Sequence, residues 1–230
     1  MADRMFEPLV NGPTVSYVAF ISTALFAILT LLVVANETMV IDRELILSLR
    51  ETACPVLTTL LLAVTFTSGR LAVPAVILFT AALYRRSGFR TAAYYVGACV
   101  SAQALNAILK FGVDRSRPHD VSPRLTAAGG LAYPSADAML AVVIFGLGAL
   151  LLSATIREPR IRLATVCSSA LFVIAAAIAR VYLGAHWPTD VLGGVLAGVA
   201  CAAICVVALR RPPAVKVPVP VPVPLVVQEA

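Results

Sequence analysis

The stretch ARVYLGAHWPTD (179–190) sets Arg180, His186 and Asp190 close together between two long apolar runs. Two further polar patches break otherwise apolar sequence. KFGVDRSRP (110–118) carries Lys110 and Arg117, and YPSAD (133–137) carries Ser135, Ala136 and Asp137. Lys110, Arg117 and Arg180 are permanent cations, and Ser135 stands where a helix should start, with free backbone N–H groups pointing outward. Such a set suits a tetrahedral oxyanion such as phosphate: arginine grips two oxygens with parallel hydrogen bonds, and lysine adds a compact charge. His186 is then the candidate nucleophile and Asp190 its orienting carboxylate. Each patch alone has a plainer reading. Lys110, Arg115 and Arg117 fit a solvated loop or side chains snorkelling to lipid headgroups, and a histidine beside Trp187 fits a membrane interface. The chemical reading therefore depends on all three patches emerging on one face.

The elements that position them are membrane spans. Of the 230 residues, 60% are hydrophobic and 13% charged, against about 25% charged in soluble domains; the mean hydropathy is +0.93. Six apolar stretches suit bilayer-crossing helices, at roughly 15–35, 68–84, 91–111, 137–156, 163–180 and 189–209. The first reads as an uncleaved span rather than a signal peptide, because no small-residue cleavage site follows it. IDRELILSLRE (41–51) has the spacing of an amphipathic surface helix. PVLTTLLLAVTFTSG (55–69) is short and threonine-rich, as a segment lying at the interface or dipping into the protein would be. The predicted fold is thus an all-α, six-helix membrane bundle with an interfacial helix between spans one and two. It forms a single domain over 1–211, followed by a Pro/Val-rich tail (212–230) that reads as disordered.

Two spans separate the patch at 133–137 from that at 179–190, so both reach the same face, and an outer loop joins the first patch to the second. The loops YRRSGFR (84–90) and REPRIR (157–162) and the segment RRPPAVK (210–216) fall on the opposite face, which the positive-inside rule makes cytoplasmic, with the C-terminus. The polar patches then face the exterior, or the periplasm of a bacterial inner membrane. The net charge of +6 follows from this topology, and no nucleic-acid motif accompanies it. Five cysteines show neither CxxC pairs nor Cys/His zinc spacing; Cys201 and Cys205 read as small packing residues on one helix face. Tyr94, Tyr95, Tyr133, Tyr182 and Trp187 read as interfacial anchors. His119 reads as solvated, and Asp114 and Arg115 as loop residues able to shape headgroup choice.

The three patches resemble the three motifs of the type 2 phosphatidic acid phosphatase superfamily. Lys110, six residues and Arg117-Pro118 match the first; Pro134-Ser135-Ala136-Asp137 resembles the second, Pro-Ser-Gly-His; Ala179-Arg180, five residues, His186, three residues and Asp190 resembles the third, Ser-Arg…His…Asp. The superfamily includes soluble vanadium haloperoxidases, but six spans point to its membrane lipid phosphatases. The resemblance implies that Lys110, Arg117, Arg180, Ser135 and the Ala136 N–H bind the phosphate. It implies that His186 attacks phosphorus to form a phosphohistidine, that Asp190 holds its tautomer, and that water completes hydrolysis of a lipid phosphate without metal or cofactor.

Two departures matter. The second-motif histidine, which donates a proton to the leaving oxygen, is Asp137 here, and the third-motif serine is Ala179. An ionised Asp137 repels phosphate; a protonated one can donate in place of histidine. The substitution also suits a lipid diphosphate, whose leaving group needs little protonation. The reading favoured by the retained nucleophile and cradle is an active lipid phosphatase acting on phosphatidate, phosphatidylglycerol phosphate, an isoprenyl diphosphate or a phosphorylated glycolipid. The alternatives are a phosphotransferase using the same histidine and a lipid-binding protein without turnover. A transporter would gather its polar residues near the midplane instead.

Overall fold

The computed structural model describes residues 13–119 and 129–210, and every regular element in them is helical. The first apolar run is one uninterrupted helix, α1 (Thr14–Val34). A short turn leads to the amphipathic α2 (Met39–Glu51), whose buried positions Asp42 and Ile46 lie one turn apart on one face. Next come α3 (Pro55–Gly69), α4 (Ala72–Ser87) and α5 (Phe89–Val113). Helix α6 (Ala136–Ser153), α7 (Pro159–Tyr182) and α8 (Pro188–Arg210) complete the bundle. Among the described residues, α1, α5, α6, α7 and α8 are each long and apolar enough to cross a membrane. Large side chains such as Phe20, Leu31, Leu163 and Leu171 are exposed on their outer faces, as lipid contact requires of an integral membrane protein.

The second span departs from expectation. Instead of one helix over 68–84, α3 and α4 form a pair bent by 58° about Arg70 and Leu71. The segment 55–69 is a full helix that packs along α7. Thr58 near its start bonds the Tyr182 hydroxyl at 2.8 Å, and Ser68 at its end accepts from Arg180 Nη2 at 3.0 Å. Three of its four threonines, Thr58, Thr59 and Thr67, each donate to the carbonyl four residues back and so do not force it to the interface.

The tyrosines and Trp187 also differ from expectation: Tyr95, Tyr133, Tyr182 and Trp187 are buried, and only Tyr94 is exposed. Each buried ring has its polar tip satisfied within the bundle. The Tyr133 hydroxyl pairs with Thr30 on α1 at 2.8 Å, and Trp187 Nε1 donates to the Ser116 carbonyl at 2.8 Å. Tyr95 Oη donates to Ile144 O at 3.1 Å, and Ser169 Oγ donates to Phe145 O at 2.8 Å. Both acceptors lie in a π-helical turn (Val142–Leu147) within α6, whose widened ladder these side chains supplement.

The core lies among α4, α5, α6 and α8, around Leu83, Tyr95, Ala102, Met139, Val143 and Ala197. Two glycines set its tightest contact. A Cβ on Gly198 would meet Met139 O at 2.8 Å, and one on Gly194 would overlap the Ser135 carbonyl. Their small-xxx-small spacing lets the start of α6 lie directly on α8, as close membrane helix packing requires. The 1–12 segment, the loop containing Arg124, and the residues after Arg210, including the Pro/Val tail, lie outside the described residues.

Candidate active site

Close packing of α6 on α8 carries the second motif to the third. The Ser135 N–H donates to the Asp190 carbonyl at 2.9 Å, joining the two motifs through backbone. Ser135 is the N-cap of α6, its hydroxyl accepting from Ala138 N at 3.4 Å, which places the start of that helix beside the third motif. Asn106 Nδ2, on α5, holds the Pro134 carbonyl at 3.2 Å.

The first motif arrives from the end of α5, which Asp114 closes in the left-handed conformation. Lys110 Nζ donates to Leu131 O at 2.6 Å. Arg117 is clamped by carbonyls: Nε to Gly130 at 3.0 Å and Nη2 to Gly129 at 2.9 Å. Its Nη1 reaches Ala185 O and lies 3.1 Å from His186 Nε2. A guanidinium can only donate, so Nε2 of His186 must accept, and the ring proton sits on Nδ1. On that side Asp190 Oδ2 lies 3.5 Å away, long for a hydrogen bond. Burial, the largest influence, together with Arg117 and Lys110, pushes the His186 pKa below the ordinary value despite Asp190, and this favours the neutral ring.

The third cation, Arg180, ends α7. Its Nη1 pairs with Asp137 Oδ2 at 2.9 Å, and its Nη2 with Ser68; its buried Nε has no hydrogen-bond partner among the described residues. Asp137 is 35% exposed, and its carboxylate holds a guanidinium otherwise available to an external anion. Ser68 brings a hydroxyl to Arg180 from α3, where the motif's own position 179 is alanine.

The structure thus brings together Lys110, Arg117, Ser135, Ala136, Asp137, Arg180, His186 and Asp190 at one end of the bundle. It also corrects the reading of Arg115. That side chain is not a headgroup-facing loop residue: it is buried, with Nη1 at 2.7 Å from Asp190 Oδ1 and Nη2 at 2.6 Å from Asp42 Oδ2. Its guanidinium carbon also lies 5.5 Å from the centroid of the Trp187 ring. Asp42, Thr189 and Ser68 escaped the sequence reading. A signal existed for Asp42, which falls on the same face of α2 as Ile46. His119 is exposed, as expected. Among the described residues, no cluster of histidine, cysteine and carboxylate side chains is arranged to hold a metal.

Comparison with known proteins bears on the family and the fold. The family model described as PAP2 superfamily matches residues 91–212. No curated protein matches the chain. Among solved structures, the fold resembles the crystal structure of a transmembrane PAP2 type phosphatidylglycerolphosphate phosphatase from Bacillus subtilis. The TM-score is 0.75 at 20% sequence identity, over 82% of this chain and 94% of that one.

Proposed function

This chain belongs to the PAP2 superfamily, and from that premise we propose that it hydrolyses a lipid phosphate or diphosphate through a phosphohistidine at His186. The observation that carries the reading is the state of that ring. Arg117 donates to Nε2, so the nucleophilic lone pair lies on the side of the cationic cradle, and Nδ1 carries its proton toward Asp190.

In the proposed reaction the substrate phosphate displaces Asp137 from Arg180 and draws Arg117 off Nε2, which frees that lone pair, and it is held by Arg180, Arg117, Lys110 and the N–H groups at the start of α6. Nε2 attacks phosphorus, a P–N bond forms, and the bond to the lipid oxygen breaks. Asp137, released beside the leaving oxygen, takes the proton carried by the monoprotonated phosphate and passes it to that oxygen. Asp190 stabilises the Nδ1 proton while the ring carries phosphorus. Water then attacks the phosphohistidine, its proton passes by way of Asp137 to the departing inorganic phosphate, and the carboxylate pairs with Arg180 again. The substrate classes are phosphatidate, phosphatidylglycerol phosphate, isoprenyl diphosphates and phosphorylated glycolipids. The site faces outward from a bacterial inner membrane, with Arg85, Arg86, Arg157 and Arg210 on the cytoplasmic side.

One observation favours a second reading. Asp137 stands in place of the motif's proton-donating histidine and is paired with Arg180, which suits a protein that holds lipid phosphates without turning them over. Phosphate release separates the two, measured on lipid mono- and diphosphates in detergent micelles with EDTA present and with His186→Ala alongside. Hydrolysis predicts release that EDTA spares and the substitution abolishes. No release above the variant on any lipid refutes the proposal and leaves the binding reading.

A further inference from the structure

Three buried charges from three elements meet behind His186. The Asp42 and Asp190 side chains are fully buried and that of Arg115 is 8% exposed. Arg115 bridges the two carboxylates through its two terminal nitrogens. Asp42 also accepts from the Thr189 N–H at 2.8 Å and the Thr189 hydroxyl at 2.6 Å. Buried ions are costly to desolvate, and a cation between two anions leaves one negative charge uncompensated. Among the described residues, the group beside this trio that can take up positive charge during reaction is His186.

The start of α8 shows how Asp42 acts. Pro188 has no N–H, and Trp187, at the N-cap, has no side-chain oxygen to cap the helix. Asp190 Oδ2 reaches back to the Trp187 N–H at 2.9 Å, as the third residue of a capping box does. Asp42, from α2, takes the Thr189 N–H that a capping side chain would have taken. The first turn of α8, and with it the carboxylate facing His186, is therefore held from another helix. Electrostatics point the same way. Arg115 alone would neutralise Asp190; with Asp42 as its counterion, Asp190 keeps a negative charge for the Nδ1 side of the ring.

We propose that Asp42 is a positioning residue for the His186–Asp190 pair, acting through Arg115 and the first turn of α8 to hold Asp190 in place and charged. This rests on the phosphohistidine reading above. It assigns a role in the reaction to the interfacial helix α2, which lies outside the residues matched by the family model.

The test is steady-state phosphate release by full-length Asp42→Asn, Asp190→Asn and the double variant in micelles, on whichever lipid the wild type hydrolyses, beside His186→Ala. Asp42→Asn should lower kcat at least about tenfold with KM within about twofold, because misplacing a catalytic group by about an ångström costs up to 10²-fold. The double variant should be no slower than Asp190→Asn, since Asp42 acts through that residue. An unchanged kcat in Asp42→Asn, or a loss that multiplies undiminished onto Asp190→Asn, overturns the positioning role while the phosphatase reading stands on His186→Ala. Release that survives His186→Ala overturns both. Should Asp42→Asn fail to fold, Thr189→Val withdraws only the hydroxyl between Asp42 and Arg115. It should lower kcat several-fold at constant KM, and an unchanged kcat there overturns the proposal equally.

Discussion

Replacing Asp137 by asparagine should move binding and turnover in opposite directions. The carboxylate lies 2.9 Å from Arg180, whose side chain is 6% exposed while that of Asp137 is 35% exposed. A shielded charge-assisted bond contributes about 1.5–3 kcal/mol and a solvated ion pair about 0–1 kcal/mol. This half-shielded pair falls between, at about 1–1.5 kcal/mol. An incoming phosphate must break it. Asp137→Asn keeps the shape but removes the competing charge, so inorganic phosphate and substrate should bind about tenfold more tightly, at about 1.4 kcal/mol per decade. Turnover should fall by about 10² to 10⁴, the usual contribution of a general acid. The assay is phosphate release from a lipid monophosphate, with KM, kcat and the inhibition constant of inorganic phosphate measured for both proteins. Weaker phosphate inhibition in the variant refutes the competition, and an unchanged kcat removes Asp137 as the acid.

A lipid diphosphate should suffer less from Asp137→Asn than a monophosphate, since its leaving phosphate needs little protonation; equal losses on both would remove that distinction. The lowered pKa of His186 keeps the ring neutral below pH 6.5, so the acid limb of kcat/KM should fall below that value; a limb at or above it contradicts the buried neutral nucleophile. The unfolded chain takes up this proton near pH 6.5 while the folded chain does not, so stability should decline as pH falls below about 6.5. Comparing Tm from pH 8 to pH 5 with that of His186→Gln reads the His186 contribution. Gly194→Ala forces a methyl group onto the Ser135 carbonyl, and overpacking of this kind costs about 1–3 kcal/mol; Tm and activity should fall together, and a variant with wild-type Tm would refute the tight α6–α8 contact.

The six polar motif residues Lys110, Arg117, Ser135, Arg180, His186 and Asp190 were legible because each stands at the end of an apolar run, and counting spans fixes their common face. Their second partners were not. Arg115 looks like any basic loop residue until α2 arrives with Asp42, a pairing across 73 positions of chain that no local pattern encodes. The tyrosines misled because an amphipathic ring suits a lipid interface and a buried acceptor equally well, and only the packed neighbours decide between them. The polar junction Ser68-Gly69-Arg70 divides 55–69 from the following run in the sequence, but no local pattern shows that the shorter piece is a full helix or how its bend against α4 is aimed. Ser68 was missed for the same reason, since its value lies in where the bend delivers it.

The reach of Asp42 into the first turn of α8 bears on how this protein can be taken apart. The matched family region begins at residue 91, and its motifs look self-sufficient on paper. Yet excising it would strip Arg115 of a counterion and leave the Thr189 N–H without its acceptor. The portable unit for a chimera is therefore larger than the motif-bearing half. Any graft of this site onto another membrane scaffold must carry α2, or supply a carboxylate at the same point, for the histidine to keep its partner.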